Sequence, residues 1–201
     1  NWVPLIWLEN LPGDLKFDSL QHSGLYTLYL GYSDQVKVDF GSLAYQDFST
    51  IETLWITDFS GCDNFDFLKS FPKLKNLRLA FFEKCILPQD LTYLDQLESL
   101  MIWSDKPNET VKELHLPESL KSLTWMMNAL TEIPLIHASG LGHLEIKSDN
   151  ISSVSNLSHL TRLRGLSIKG GITNFDELVH LHSGVKVFLD ERKFITGDKK
   201  T

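Results

Sequence analysis

The hexapeptide LKNLRL at residues 74–79 has apolar side chains at its first, fourth and sixth positions. The hexapeptide LESLMI at residues 97–102 repeats this arrangement 23 residues later. Equivalent hexads begin at residues 25, 51, 120, 141 and 163, so the successive spacings are 26, 23, 23, 23, 21 and 22. Two further apolar series extend the array at its ends: Trp2, Leu5 and Trp7, and Val185, Val187 and Leu189. A repeated period of this length indicates an array of stacked units.

Each unit combines two periodicities. The end of each hexad alternates apolar and polar residues, which is the pattern of a β-strand. Between hexads the apolar residues are spaced by three, which indicates a short 3₁₀ or α turn. The clearest series lead into Leu74 and Leu163: Phe65, Leu68 and Phe71, and Val154, Leu157 and Leu160. Because one strand and one turn cannot bury their own apolar face, the units are expected to stack as a solenoid.

The pattern resembles the leucine-rich repeat superfamily from Trp2 to about Leu189. The unit ISSVSNLSHLTRL at residues 151–163 resembles the bacterial internalin class. The unit at residues 116–134, which contains Leu-Pro and Ile-Pro, is similar to repeats of secreted bacterial effectors. The ninth-position Asn of the family is plain at Asn10 and Asn128, whereas Phe59 and Phe82 replace it elsewhere and predict irregular curvature.

The resemblance implies an α/β fold with a parallel sheet on the concave face and short helices or 3₁₀ turns on the convex face. Parallel crossovers predict a right-handed solenoid. We expect a single array of about eight or nine repeats over residues 1–201, with a short N-terminal segment missing upstream.

Composition excludes several classes of function. The formal net charge is −7, whereas a nucleic-acid-binding surface is normally basic. No apolar run approaches the roughly 18 residues that span a bilayer, so membrane insertion is not expected. Cys62 and Cys85 each precede the next hexad by 12 residues (74 − 62 and 97 − 85) and are expected to be buried thiols. The absence of cysteine-rich caps favours a cytoplasmic or secreted bacterial protein over an extracellular eukaryotic one, and the localisation stays open.

Catalytic motifs are missing from the sequence. There is no phosphate-binding glycine loop and no Gly-x-Ser-x-Gly motif, and the triplet at Asp39, Phe40 and Gly41 lacks the other protein-kinase signatures. His180 and His182 have no third ligand nearby in sequence. We therefore expect no enzymatic activity, no cofactor and no metal site.

The outward positions of the hexads provide the candidate site. The third, fifth and seventh positions should point away from the core, in columns that begin at Ile6 and Leu8. The columns contain an apolar series with an embedded arginine and end in polar residues. The partner-binding residues are expected to be Tyr29, Trp55, Arg78, Met101, Trp103, Met126, His143 and Glu145. In the alternative interpretation, irregular turns shift the register and place some of these side chains in the core.

Leucine-rich repeat proteins are mostly recognition scaffolds, so the resemblance implies a non-enzymatic module that binds a protein or peptide on its concave face. An alternative is the substrate-recognition part of a larger multidomain enzyme or receptor. A third is a structural repeat whose concave face is filled by its own chain. The bacterial resemblance suggests an effector, while the partner's identity and the oligomeric state stay open.

Overall fold

A computed structural model describes residues 5–8, 26–31, 43–44, 48–57, 64–81, 86–104, 111–128, 130–170, 178 and 180–189, with backbone alone at 5–8 and 31. The expectation that Cys62 and Cys85 are buried thiols falls on residues outside the described ranges. The triplet at residues 39–41 also lies outside them.

In the described residues, nine parallel strands form one sheet, which we call the main sheet. Its strands are β1 (Leu5–Leu8), β2 (Thr27–Gly31), β3 (Thr53–Thr57), β4 (Asn76–Phe81), β5 (Ser99–Ser104), β7 (Ser122–Met127), β9 (His143–Ser148), β10 (Gly165–Gly170) and β11 (Lys186–Leu189). The intervening strands, β6 (Glu113–His115) and β8 (Leu135–His137), pair with each other in a second parallel sheet. The predicted parallel-strand solenoid is therefore confirmed.

The hexads are aligned from turn to turn. Leu54 pairs with Leu77, Leu77 with Leu100, and Leu100 with Leu123, and all four side chains are buried. In β3, β5 and β7, buried side chains alternate with half-buried or exposed ones. One face of each strand therefore packs into the core and the other face points outward.

The expected register is wrong by one residue in β1. Ile6 pairs with Leu28 and Leu8 pairs with Leu30, so Trp7 is the β1 residue opposite Tyr29. Residues 5–8 are all apolar and carry no alternation, so the sequence pattern fitted either phase equally well.

The segments between strands contain the predicted spacing of three. The amide of Leu68 donates to the carbonyl of Phe65 at 3.0 Å, and Phe71 donates to Leu68 at 3.1 Å. Short 3₁₀ helices span Asp66–Ser70 and Ser155–Leu157. The described residues otherwise contain almost no helix. The helical layer of an α/β fold is thus limited there to short turns, and the architecture is a parallel-strand solenoid.

The core is a continuous stack of Leu, Ile, Val and Phe side chains between the main sheet and the returning segments. Phe48 and Phe71 stack across two turns with ring centroids 4.6 Å apart. Trp125 is fully buried between turns, and no hydrogen-bond partner for its Nε1 is found in the described part of the chain. Each turn therefore buries its apolar face mainly against its two neighbours.

Candidate functional site

The outer face of the main sheet is built from the third, fifth and seventh positions of the hexads. Adjacent turns place Tyr29 opposite Trp55, Trp55 opposite Arg78, and Arg78 opposite Met101. In the next column Trp103 lies opposite Met126. The register stays in phase from β2 to β10, so the shifted-register alternative does not describe these strands.

Trp55 contacts both Tyr29 and Arg78 near one end of this face. The rings of Tyr29 and Trp55 have centroids 5.0 Å apart and are tilted by 52°. The Arg78 guanidinium carbon lies 5.2 Å from the centroid of the Trp55 ring, which is within the range of a cation–π interaction. Both aromatic side chains are half-buried and Arg78 is exposed. Aromatic surface and a positive charge are therefore presented together.

The apolar series continues on β5 and β7. Met101 and Met126 are half-buried, and Trp103 is 39% exposed. None of these side chains belongs to the buried core cluster. We call Tyr29, Trp55, Met101, Trp103 and Met126 the apolar stripe. It extends over five adjacent strands, which corresponds to about 19 Å at the usual strand spacing.

The polar residues lie on the adjoining strand β9. His143 is exposed, and its ring covers Gly165, where an added Cβ would lie 2.9 Å from Cδ2 of the imidazole. The Glu145 carboxylate accepts a short hydrogen bond from Nζ of Lys169 on β10. All eight predicted residues thus share one face, but Glu145 is already paired within the protein.

A second group of polar side chains, which the sequence analysis missed, lies on the second sheet. His115 and His137 are opposite each other in the β6–β8 register, and their rings stack 4.4 Å apart. Glu113 lies two residues before His115, and its Oε2 is 3.5 Å from Nε2 of both histidines. His115, His137 and His159 are spaced by 22 residues, so aligning the returning segments as well as the hexads would have found this column.

Asp90 borders that group through a parallel bridge to His115. Its Oδ1 accepts hydrogen bonds from the Thr92 hydroxyl at 2.7 Å and the Thr92 amide at 2.9 Å. These two bonds lower the pKa of Asp90, with a smaller contribution from nearby His115 and Lys69. The Asp90 carboxylate is therefore engaged in hydrogen bonds within its own turn.

Among the helices that the structure describes, none is long and apolar enough to cross a membrane. No protein-family model matches the chain. A comparison with curated proteins finds no match either. The functional assignment therefore rests on the geometry of the outer face and on the repeat pattern.

Proposed function

We propose that the chain is a leucine-rich-repeat-type, non-enzymatic module that binds a protein or peptide across the outer face of the main sheet. The repeat pattern and the parallel stacking of its hexads support this assignment. In such a module the solenoid is right-handed and the main sheet lines the concave side. Binding requires shape, desolvated apolar area and a few charges, and no reactive group.

The observation that carries the proposal is the apolar stripe. The outward positions of a solvated sheet are normally polar, yet β2, β3, β5 and β7 place Tyr, Trp or Met there, and the intervening β4 places Arg78 among them. Aromatic residues, Met and Arg are the types enriched in the centre of protein interfaces. An exposed series of these types marks a surface that another molecule covers.

The position of Arg78 adds a preference for charge. Within the described residues its side chain makes no ion pair, while its guanidinium lies over Trp55. Stacking holds the planar group in place and leaves its N–H donors at the edge, where they fit a carboxylate. The proposed ligand is an extended segment of about six residues, from the stripe length and the rise per residue, with apolar side chains and one acidic group.

The test is selection of a random-peptide display library on the wild-type protein, followed by affinity measurement with the selected peptides. The double change Trp55→Ala and Trp103→Ala should abolish their binding. Truncating one aromatic anchor typically costs about 2 kcal/mol, or roughly thirtyfold in affinity. Arg78→Gln should weaken the peptides that carry an acidic residue more than the others.

Phe188→Ala is the matched control, because Phe188 is 63% exposed in the same sheet but lies opposite Ser167, away from the stripe. Lys69→Ala in the 3₁₀ helix Asp66–Ser70 is a second control. Both should bind as the wild type does, with circular dichroism verifying each fold. Failure to select any peptide, or equal binding by the double variant, would rule out the stripe as the site. Unfolding of the double variant would show that the tryptophans act as core.

A further inference from the structure

A second group of converging polar side chains lies on the second sheet, in the returning segments. Glu113 and His115 are two residues apart on β6 and therefore share a face. His137 is the β8 partner of His115 in the adjacent turn. Leu114 and Ile136, which directly precede His115 and His137 on their strands, are fully buried. Because neighbouring residues of a strand point to opposite faces, the three polar side chains point outward. We call Glu113, His115 and His137 the His–Glu cluster.

The donor atoms of the cluster converge. Both Glu113–histidine distances, from Oε2 to Nε2, are 3.5 Å, and all three donor atoms lie within 4.8 Å of one another. In a tetrahedral zinc site, bonds of about 2.0–2.1 Å place neighbouring donor atoms about 3.3 Å apart. The distances from the Glu113 oxygen to the two histidine nitrogens are therefore already close to those of a tetrahedral site.

We propose that the His–Glu cluster binds a divalent transition-metal ion of the zinc class. The ligands are Nε2 of His115, Nε2 of His137 and a carboxylate oxygen of Glu113, and water completes the tetrahedron. Two imidazoles and one carboxylate suit Zn²⁺, whereas Mg²⁺ and Ca²⁺ take mainly oxygen ligands. Among the described residues, Glu113, His115 and His137 form the group of three His, Cys, Asp or Glu side chains whose donor atoms lie close enough to hold one ion.

Binding requires a local movement of the two imidazoles. Their planes are nearly parallel, at 4°, so their lone pairs do not yet point at one centre. The side chains are 45% and 42% exposed, so the movement breaks the stacking of the two rings and turns them on the solvent side. An open cleft of about 420 Å³ borders both histidines but not Glu113.

Neighbouring polar groups are engaged elsewhere. The Asp90 carboxylate accepts two hydrogen bonds from Thr92. His159, the next histidine in the column, donates from Nε2 to the carbonyl of Ile136 at 2.7 Å. His159 therefore braces the strand that carries His137 and leaves the metal with three protein ligands.

The experiment is titration of the full chain with zinc chloride, followed by isothermal calorimetry. We expect one site that Mg²⁺ and Ca²⁺ do not compete for, and a zinc-dependent rise in the thermal unfolding midpoint. Glu113→Gln and His137→Asn should each weaken zinc binding about tenfold or more, since even residues that only support a ligand have effects of that size. His180→Asn is the matched control, because His180 is an exposed histidine outside both the His–Glu cluster and the apolar stripe, and should leave binding unchanged.

The histidine ring resonances of the wild-type protein test zinc binding by NMR without any variant. On zinc addition to the wild-type protein, the ring resonances of His115 and His137 should shift, while those of His143 and His180 should not. No binding at millimolar zinc, binding that survives both cluster variants, or shifts confined to other histidines would each overturn the proposal.

Discussion

At the scale of single residues, several short polar side chains form hydrogen bonds with the backbone of the neighbouring turn. Ser148 is fully buried, and its hydroxyl donates to the carbonyl of Leu130 at 2.6 Å. The amide of Asn150 in turn donates to the Ser148 hydroxyl at 3.2 Å. The Asn156 side chain donates to the carbonyl of Ile133 at 2.8 Å. Short polar side chains therefore fasten one turn to the next.

Gly140 marks a place where two turns touch too closely for any side chain. A Cβ on Gly140 would lie 1.9 Å from the carbonyl oxygen of Glu118 and 3.1 Å from that of Leu120. Both atoms are backbone and cannot move without shifting the preceding turn. We expect Gly140→Ala to lower the free energy of unfolding by about 2–3 kcal/mol, measured by urea denaturation.

Gly142→Ala is the control for that variant. Its added Cβ would meet the carbonyl oxygen of Lys121 at 3.6 Å, which is an ordinary contact. The cost should be small, or the variant slightly more stable because the unfolded chain loses freedom. Equal destabilisation by the two substitutions would show that backbone freedom, and not the close approach, explains Gly140.

At the scale of elements, charged side chains alternate along the column that precedes the strands. Nζ of Lys75 lies 3.0 Å from Oε1 of Glu52, and Nζ of Lys121 lies 2.8 Å from Oε1 of Glu98. The backbone follows the same column, since the amides of Lys121 and Ser122 both donate to the carbonyl of Glu98. These exposed pairs support register more than stability.

The Glu98–Lys121 pair has a measurable consequence for pH dependence. The hydrogen bond from Lys121, and then its charge, lower the pKa of Glu98. The pair is therefore fully formed above about pH 4, the ordinary range of a glutamate, and is lost as the pH falls through the lowered value of the folded state. Carboxyl-carbon NMR titration should show a Glu98 midpoint below that of an unpaired glutamate.

Lys121→Met should return the Glu98 midpoint towards the ordinary range, because it removes both the donor and the charge. Lys147→Met, an exposed lysine on β9, should leave that midpoint where it is. A low Glu98 midpoint that persists without Lys121 would assign the shift to another group.

How far the sequence predicts each element depends on its periodicity. The hexads on β4 and β5 were predictable because alternation and the 23-residue spacing agree on one register. The register of β1 was not predictable, since four apolar residues in succession do not show which of them face the core. The three-residue strands β6 and β8 are too short to show a period. The outer columns followed from the hexads, whereas the His–Glu cluster depends on those short strands and was missed.

At the scale of the whole molecule, each turn of the main sheet contacts its two neighbours, so stability should be distributed along the array. β11 lies at one end of the strand order, and its residues Val187 and Phe188 are 37% and 63% exposed. In β9, by contrast, Leu144, Ile146 and Ser148 are all buried.

Native-state hydrogen exchange should reveal lower local stability at β11 than at β9. We expect the amides of β11 to exchange at least about tenfold faster than the corresponding amides of β9, because an end turn opens without breaking the turns inside. Uniform protection across both strands would instead indicate that the array unfolds as one cooperative unit.

Because Glu52, Lys75, Glu98 and Lys121 alternate in charge, the charge pattern of this column repeats every two turns and not every turn. Removal of the single turn that carries Lys75 would place Glu52 beside Glu98, and like charges in adjacent positions repel. Removal of the two turns that carry Lys75 and Glu98 would place Glu52 beside Lys121 and restore an attractive pair. An array shortened or lengthened in pairs of turns therefore conserves its pattern of charge, whereas a change by one turn interrupts it.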